Sequence, residues 1–182
     1  MIRRALVVAH PDDETLFFGG LLLACPGDWT IICCTVPRAD PVRATKFFDA
    51  AKLLGARAAE LVRETEPFSS EPLSHLERLA LGDFDLIVTH NSVGEYGHAH
   101  HIALNRYVAQ RWPDKIVTGG YGKAPCAFRV VLDAHQIAMK MAALRCYDHV
   151  SPLDGKPKWR ALLDRYGTMF DFGVETYDRA FA

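Results

Sequence analysis

Two short stretches concentrate the side chains that can do chemistry: His10-Pro11-Asp12-Asp13-Glu14, and His98-Ala99-His100-His101 with His90-Asn91 ahead of it. Two imidazoles and one carboxylate around a divalent metal, with one position open to water, make the ligand set of hydrolytic zinc sites. His10 and Asp13 lie three residues apart across a proline-constrained turn, so both can point at one ion while Asp12 projects alongside. His98 and His101 are one helical turn apart and share a face, so either or both can reach it. A carboxylate not used as a ligand is what such a site needs as general base for the attacking water. The plainer readings are a helix N-cap at Asp12 or Asp13 and a solvated helix start at His98 to His101. The two clusters taken together favour a metal site. His90, at a strand end, is a candidate for a supporting role.

The elements that must bring these clusters together are legible as buried runs alternating with helical patterns. Residues 4–9 form a valine-rich apolar run that ends at His10-Pro11, followed by a largely apolar helix over 14–25 that Pro26-Gly27 stops. A second buried strand spans 29–36, and a helix over 42–54 carries Phe47, Ala50, Ala51 and Leu54 at helical spacing before Gly55. Further expectations are a strand at 58–63, a helix at 73–81, a strand at 84–89 and a helix over 98–109. Beyond these come strands at 116–118 and 128–132, helices at 134–145 and 159–166, and a mixed tail. Strands that each read as a continuous apolar run and alternate with helices imply a mostly parallel sheet covered on both faces, an α/β fold. In such sheets ligands bind outside the carboxyl ends of the strands. Both polar clusters follow strand ends, so parallel strands bring them to one edge.

The chain has 182 residues, 49% hydrophobic and 24% charged, which fits a single globular domain over 1–182. A net charge of −1, with both signs dispersed, leaves no electrostatic footprint for nucleic acid or an anionic membrane. No apolar stretch reaches the roughly 20 residues of a membrane span, and the N-terminus lacks a signal-peptide pattern, so a cytoplasmic location is expected. Five cysteines, odd in number and without a C-x-x-C pair, argue for reduced thiols.

Ala9-His10-Pro11-Asp12-Asp13-Glu14, followed by Gly19-Gly20 and by His98-x-x-His101, resembles the LmbE-like, or PIG-L, de-N-acetylase family through about Leu104. The resemblance implies a Rossmann-like sheet and one Zn2+ per chain held by His10, Asp13 and His101. It further implies Asp12 as general base and a protonated His98 stabilising the oxyanion. The substrate it implies is an N-acetylated amino sugar or its conjugate, a small molecule that loses its acetyl group by amide hydrolysis. Arg43 matches a family arginine near the substrate, and Glu14 and Tyr96 are the other expected substrate contacts. Two departures from the family pattern are Lys46, where a glutamate is common, and His98-Ala99-His100-His101 in place of H-P-D-H. Two other classes stay open on the residues alone: a non-haem Fe(II) enzyme with a two-histidine, one-carboxylate triad, and a non-catalytic binding module. Self-association into a homo-oligomer also stays open.

Overall fold

In the computed structural model, residues 2–35, 41–64, 75–121, 126–148, 157–166 and 172–179 are described. Five strands, β1 (Arg3–Val8), β2 (Asp28–Cys33), β3 (Ala58–Leu61), β4 (Leu86–Thr89) and β5 (Ile116–Thr118), form one sheet in the order β3-β2-β1-β4-β5. Every pairing in it is parallel. The helices are α1 (Asp13–Ala24), α2 (Pro41–Leu53), a four-residue turn α3 (Gly94–Gly97), α4 (Ala99–Arg111), α5 (Ala134–Arg145) and α6 (Lys158–Tyr166).

The apolar runs of the strands are continuous because both faces of the sheet are covered. Along β1, Leu6 and Val8 enter a core with Phe17, Phe18, Leu21, Phe47 and Leu144. Ala5, Val7 and Ala9, pointing the other way, enter a second core with Leu104, Tyr107, Val108 and Leu76. Helix α1 sits deep in the first core, with Asp13 through Leu22 all buried, which is why its sequence shows no polar stripe. Among the described residues, no helix is long and apolar enough to cross a membrane.

The expected helix over 73–81 is not found. Residues 73–74 lie outside the described residues, and the rest makes two short 3-10 turns, Leu76–Arg78 and Leu81–Asp83. Leu76 and Leu81 are both fully buried five residues apart, a spacing one regular helix would point in different directions. The buried Glu64 carboxylate also accepts the Leu76 N–H at 2.6 Å, fixing where the first turn begins.

The tail contributes a strand that periodicity did not reveal. β6 (Phe128–Val131) pairs antiparallel with β7 (Val174–Tyr177) as a separate two-stranded ribbon. Glu175 of β7 is fully buried against α1, accepting the N–H groups of Gly20 and Leu21 at 2.6 and 2.8 Å, and is paired with Lys140 of α5 at 2.6 Å. A Cβ at residue 20 would stand 2.7 Å from Glu175 Cδ, so only glycine permits this approach.

β1 has β2 on one side and β4 on the other, so the chain reverses its direction of travel across the sheet between β1 and β4. That switch point opens a crevice at the carboxyl ends of the strands. His10 follows β1 and His90 follows β4, so the two clusters flank it.

Candidate active site

The turn from β1 into α1 is braced by its own side chains. His10 N–H donates to Asp13 Oδ2 at 2.8 Å, and the Asp12 carbonyl receives the Thr15 and Leu16 N–H groups that start the helix. Asp12 itself adopts φ 102°, a region that disfavours residues with a Cβ by roughly 1–3 kcal/mol. Glu14 holds it there: its Oε2 accepts the Asp12 N–H at 3.0 Å, while Oε1 accepts the hydroxyls of Thr15 at 2.7 Å and Tyr147 at 2.8 Å. Burial pushes the Glu14 carboxyl up to about 7. The Asp12 carboxylate accepts a hydrogen bond from the buried guanidinium of Arg43, brought in by α2.

Two of the expected substrate contacts lie against Asp12. Glu14 is fully enclosed, with both oxygens accepting hydrogen bonds from the chain, and Arg43, 2% exposed, directs its guanidinium at the Asp12 carboxylate. Tyr96 is half-buried, with its ring edge-on to His98 at 5.8 Å and 5.7 Å from His101.

The segment after β4 is organised by Glu95, which sequence reasoning missed. His90 Nδ1 and His101 Nδ1 both hydrogen-bond Glu95 Oε2, at 3.1 and 2.6 Å, and Asn91 N–H donates to Oε1 at 3.0 Å. Glu95 lies at φ 57°, and its own N–H donates to Asn91 Oδ1 at 3.1 Å. Burial alone raises this carboxyl, but the facing imidazoles of His90 and His101 overcome it and hold the group down at about 2. The one available signal was an acid in a glycine-bearing loop, Gly94-Glu95-Tyr96-Gly97, between two histidine clusters.

Asp13 is where the two segments meet. Its Oδ2 lies 3.2 Å from His10 Nδ1, 3.3 Å from His101 Nε2 and 3.4 Å from His90 Nε2. Burial works to raise its carboxyl, yet His101 and the hydrogen-bonding imidazoles keep it well below the usual carboxylate range. Two sets of ligand atoms fall within 4.8 Å of one another, His10 with His98 and His101, and Asp13 with His90 and His101. Their hydrogen bonds discriminate between them. His90 Nε2 accepts the Ala9 N–H at 3.1 Å, and its Nδ1 faces Glu95, so no lone pair is left for a metal. His98 Nδ1 accepts the His100 N–H at 3.3 Å as the cap of α4, which places the proton of the neutral ring on Nε2 and makes that atom a donor. Burial, together with His101 and His10, pushes His98 down to about 3.

His101 is different. Its Nδ1 is committed to Glu95, while Nε2 is buried beside Asp13 and makes no hydrogen bond. Burial opposes a charge on this ring, but Asp13 and then Glu95 raise it to about 9, so the atom calls for a proton or a metal cation. Asp13 and Glu95 thus draw a positive charge onto this buried edge. A proton on His101 supplies it here, and the nitrogens of His10 and His101 with the Asp13 carboxylate form a donor set that fits a divalent cation in that place.

A parallel sheet with a buried His/Asp cluster and an adjacent carboxylate at its switch point places the molecule among α/β proteins with a polar site at the carboxyl edge of the sheet. Residues 5–112 match the PIG-L family, described as GlcNAc-PI de-N-acetylase, and the chain belongs to that family. The match takes in every residue of the two clusters. An uncharacterized protein of Acanthamoeba polyphaga mimivirus is 26% identical over an alignment of 139 residues that covers 65% of this chain and 61% of that relative. The match thus spans under two thirds of the relative's length. Among solved structures, a conserved protein of Thermus thermophilus superposes with TM-score 0.68 at 18% identity, covering 100% of this chain and 96% of that one. N,N'-diacetylchitobiose deacetylase from Pyrococcus horikoshii gives 0.67 at 17% identity, covering 96% of this chain and 83% of that one. A deacetylase of teicoplanin biosynthesis gives 0.61 at 13% identity, covering 97% and 98%. At these identities the likeness establishes the shared fold.

Proposed function

We propose that the protein is a zinc-dependent de-N-acetylase that hydrolyses the acetamide of an amino sugar or its conjugate. The observation that carries this reading is the buried His101 Nε2 facing Asp13 without a hydrogen bond, with a second carboxylate, Asp12, fixed by Arg43 in the residue before Asp13. His10, Asp13 and His101 hold the zinc. Zinc bound there supplies a Lewis acid for the acetyl carbonyl and acidifies a water.

Asp12 takes the proton of the attacking water and returns it to the departing amine, so one amide and one water become one acetate and one amine. Arg43 and Glu14 fix that carboxylate from its side chain and its backbone. His98 donates its Nε2–H to the oxygen on which negative charge develops. It acts as a neutral imidazole because its Nδ1 accepts the His100 N–H, where the sequence pointed to an imidazolium. Tyr96 offers its ring to the sugar.

The test is a panel of N-acetylated amino sugars and their glycosides, with acetate and free amine both measured. Acetate and amine should appear in equal amounts, vanish when a chelator strips the protein and return with added zinc. Zinc-loaded protein that releases neither from any member of the panel overturns the reading.

A further inference from the structure

His100 stands outside both ligand groupings and outside the catalytic roles above, yet it makes a short contact with a proposed ligand. Its Nδ1 lies 2.9 Å from His10 Nε2, and the two rings stack with centroids 5.1 Å apart at 30°. It comes from the first turn of α4, on the far side of the crevice from the β1 turn that carries His10.

An imidazole has two nitrogens, and the neutral ring carries one proton between them. His10 faces Asp13 through Nδ1 at 3.2 Å, so binding a metal from that nitrogen requires the proton on Nε2. A hydrogen-bond acceptor at Nε2 favours that tautomer, fixes the ring plane and makes Nδ1 a better donor to the metal. The Glu95 carboxylate provides such an acceptor for His101, at its Nδ1. For His10, the acceptor within hydrogen-bond distance of Nε2 is another imidazole.

We propose that His100 is a positioning residue for His10, accepting the His10 Nε2–H so that Nδ1 presents its lone pair to the metal. The inference rests on the zinc reading above and extends it to the identity of residue 100. The two imidazole supports are unequal by chemistry: His101 leans on an anion and His10 on a neutral ring. Charge-assisted hydrogen bonds are the stronger kind, so His10 is the weaker of the two anchors and the one most open to improvement.

The experiment is a zinc titration against a competing chelator, run on the full chain and on His100→Leu, His100→Asn and His100→Asp, with acetate release followed in parallel. Leu keeps bulk without an acceptor and should weaken zinc binding by about 10- to 100-fold. Asn places an amide oxygen near the position of Nδ1 and should restore affinity to within about threefold of the wild type, while Asp should tighten it. At saturating zinc, the kcat of His100→Leu should recover most of its value, which a residue contacting the substrate would not permit. In the zinc-loaded wild type, nitrogen NMR should show the proton on His10 Nε2 with a coupling across the hydrogen bond to His100 Nδ1. If His100→Leu melts early, His100→Ala at this half-exposed position replaces it in the same titration. Unchanged zinc affinity in the acceptor-free variant, or a His10 Nε2 without a proton, overturns the positioning role. A wild type that binds no zinc overturns the proposed function itself, a separate outcome.

Discussion

The two segments that meet at Asp13 are braced in opposite ways. The β1–α1 turn is held mainly by neighbours: Asp13 takes the His10 N–H and Glu14 takes the Asp12 N–H, all within five residues. The β4–α4 segment, residues 90–101, is held by Glu95, which gathers His90 from the strand end and His101 from the helix onto one oxygen. Each segment places an acid at positive φ, Asp12 at 102° and Glu95 at 57°. In the first the carboxylate meets the Arg43 guanidinium; in the second it faces two imidazoles. In the function proposed above, strain at Asp12 serves the general base and strain at Glu95 serves the orientation of a metal ligand.

The largest loss is expected at Asp12. Asp12→Asn should keep the metal and lose roughly two to four orders of magnitude in turnover, read by metal analysis beside acetate release. A metal-free Asp12→Asn protein would recast that carboxylate as a ligand, and a fully active one would remove it from the mechanism.

Next in size is His98. His98→Asn keeps an oxygen that can cap α4 but removes the Nε2–H, so kcat should fall by about a hundredfold, near 3 kcal/mol, with KM little changed. A change confined to KM would make His98 a sugar contact.

Glu95→Gln tests the other brace, since an amide cannot accept from two imidazoles as a carboxylate does. Metal affinity should drop by about 10- to 100-fold and the fold should lose about 2–3 kcal/mol, read by chelator competition and by denaturant unfolding. Unaltered affinity would mean that His101 needs no partner behind it.

Arg43→Ala should lower kcat by roughly tenfold and more than it raises KM, because the guanidinium holds the base. The substrate contact expected from the sequence alone predicts the reverse split. The smallest effect is Tyr147→Phe, which removes one of three donors to Glu14 and should cost about 1 kcal/mol in stability with activity within a few-fold. A large loss of turnover would show that Tyr147 reaches the reacting centre.

Much of the fold was legible because it rests on local patterns. Continuous apolar runs at β1, β2 and β4 announced a sheet buried on both faces, and Gly, Pro and Asp punctuation marked the helices. Placing both histidine clusters at one edge needed only the parallel direction of the strands. β7 escaped notice because Val174–Tyr177 buries an acid, Glu175, where an apolar residue marks a strand, and that burial is explained only by the α1 backbone and Lys140 that it meets.

By itself, the sequence determined the α/β architecture, the edge at which chemistry gathers and the residue types available there. Tertiary structure decided which nitrogen of each imidazole remains for a metal. His90 loses its lone pair to Ala9 N–H, His98 becomes a donor through the His100 N–H, and His101 keeps an unengaged Nε2 because Glu95 occupies its Nδ1. It also turned Glu14 and Arg43 inward onto Asp12. The reason is physical: a tautomer, a lone pair or the orientation of a carboxylate is set by whichever partner packs against it. Here those partners, Tyr147 among them, come from as far as 133 residues along the chain.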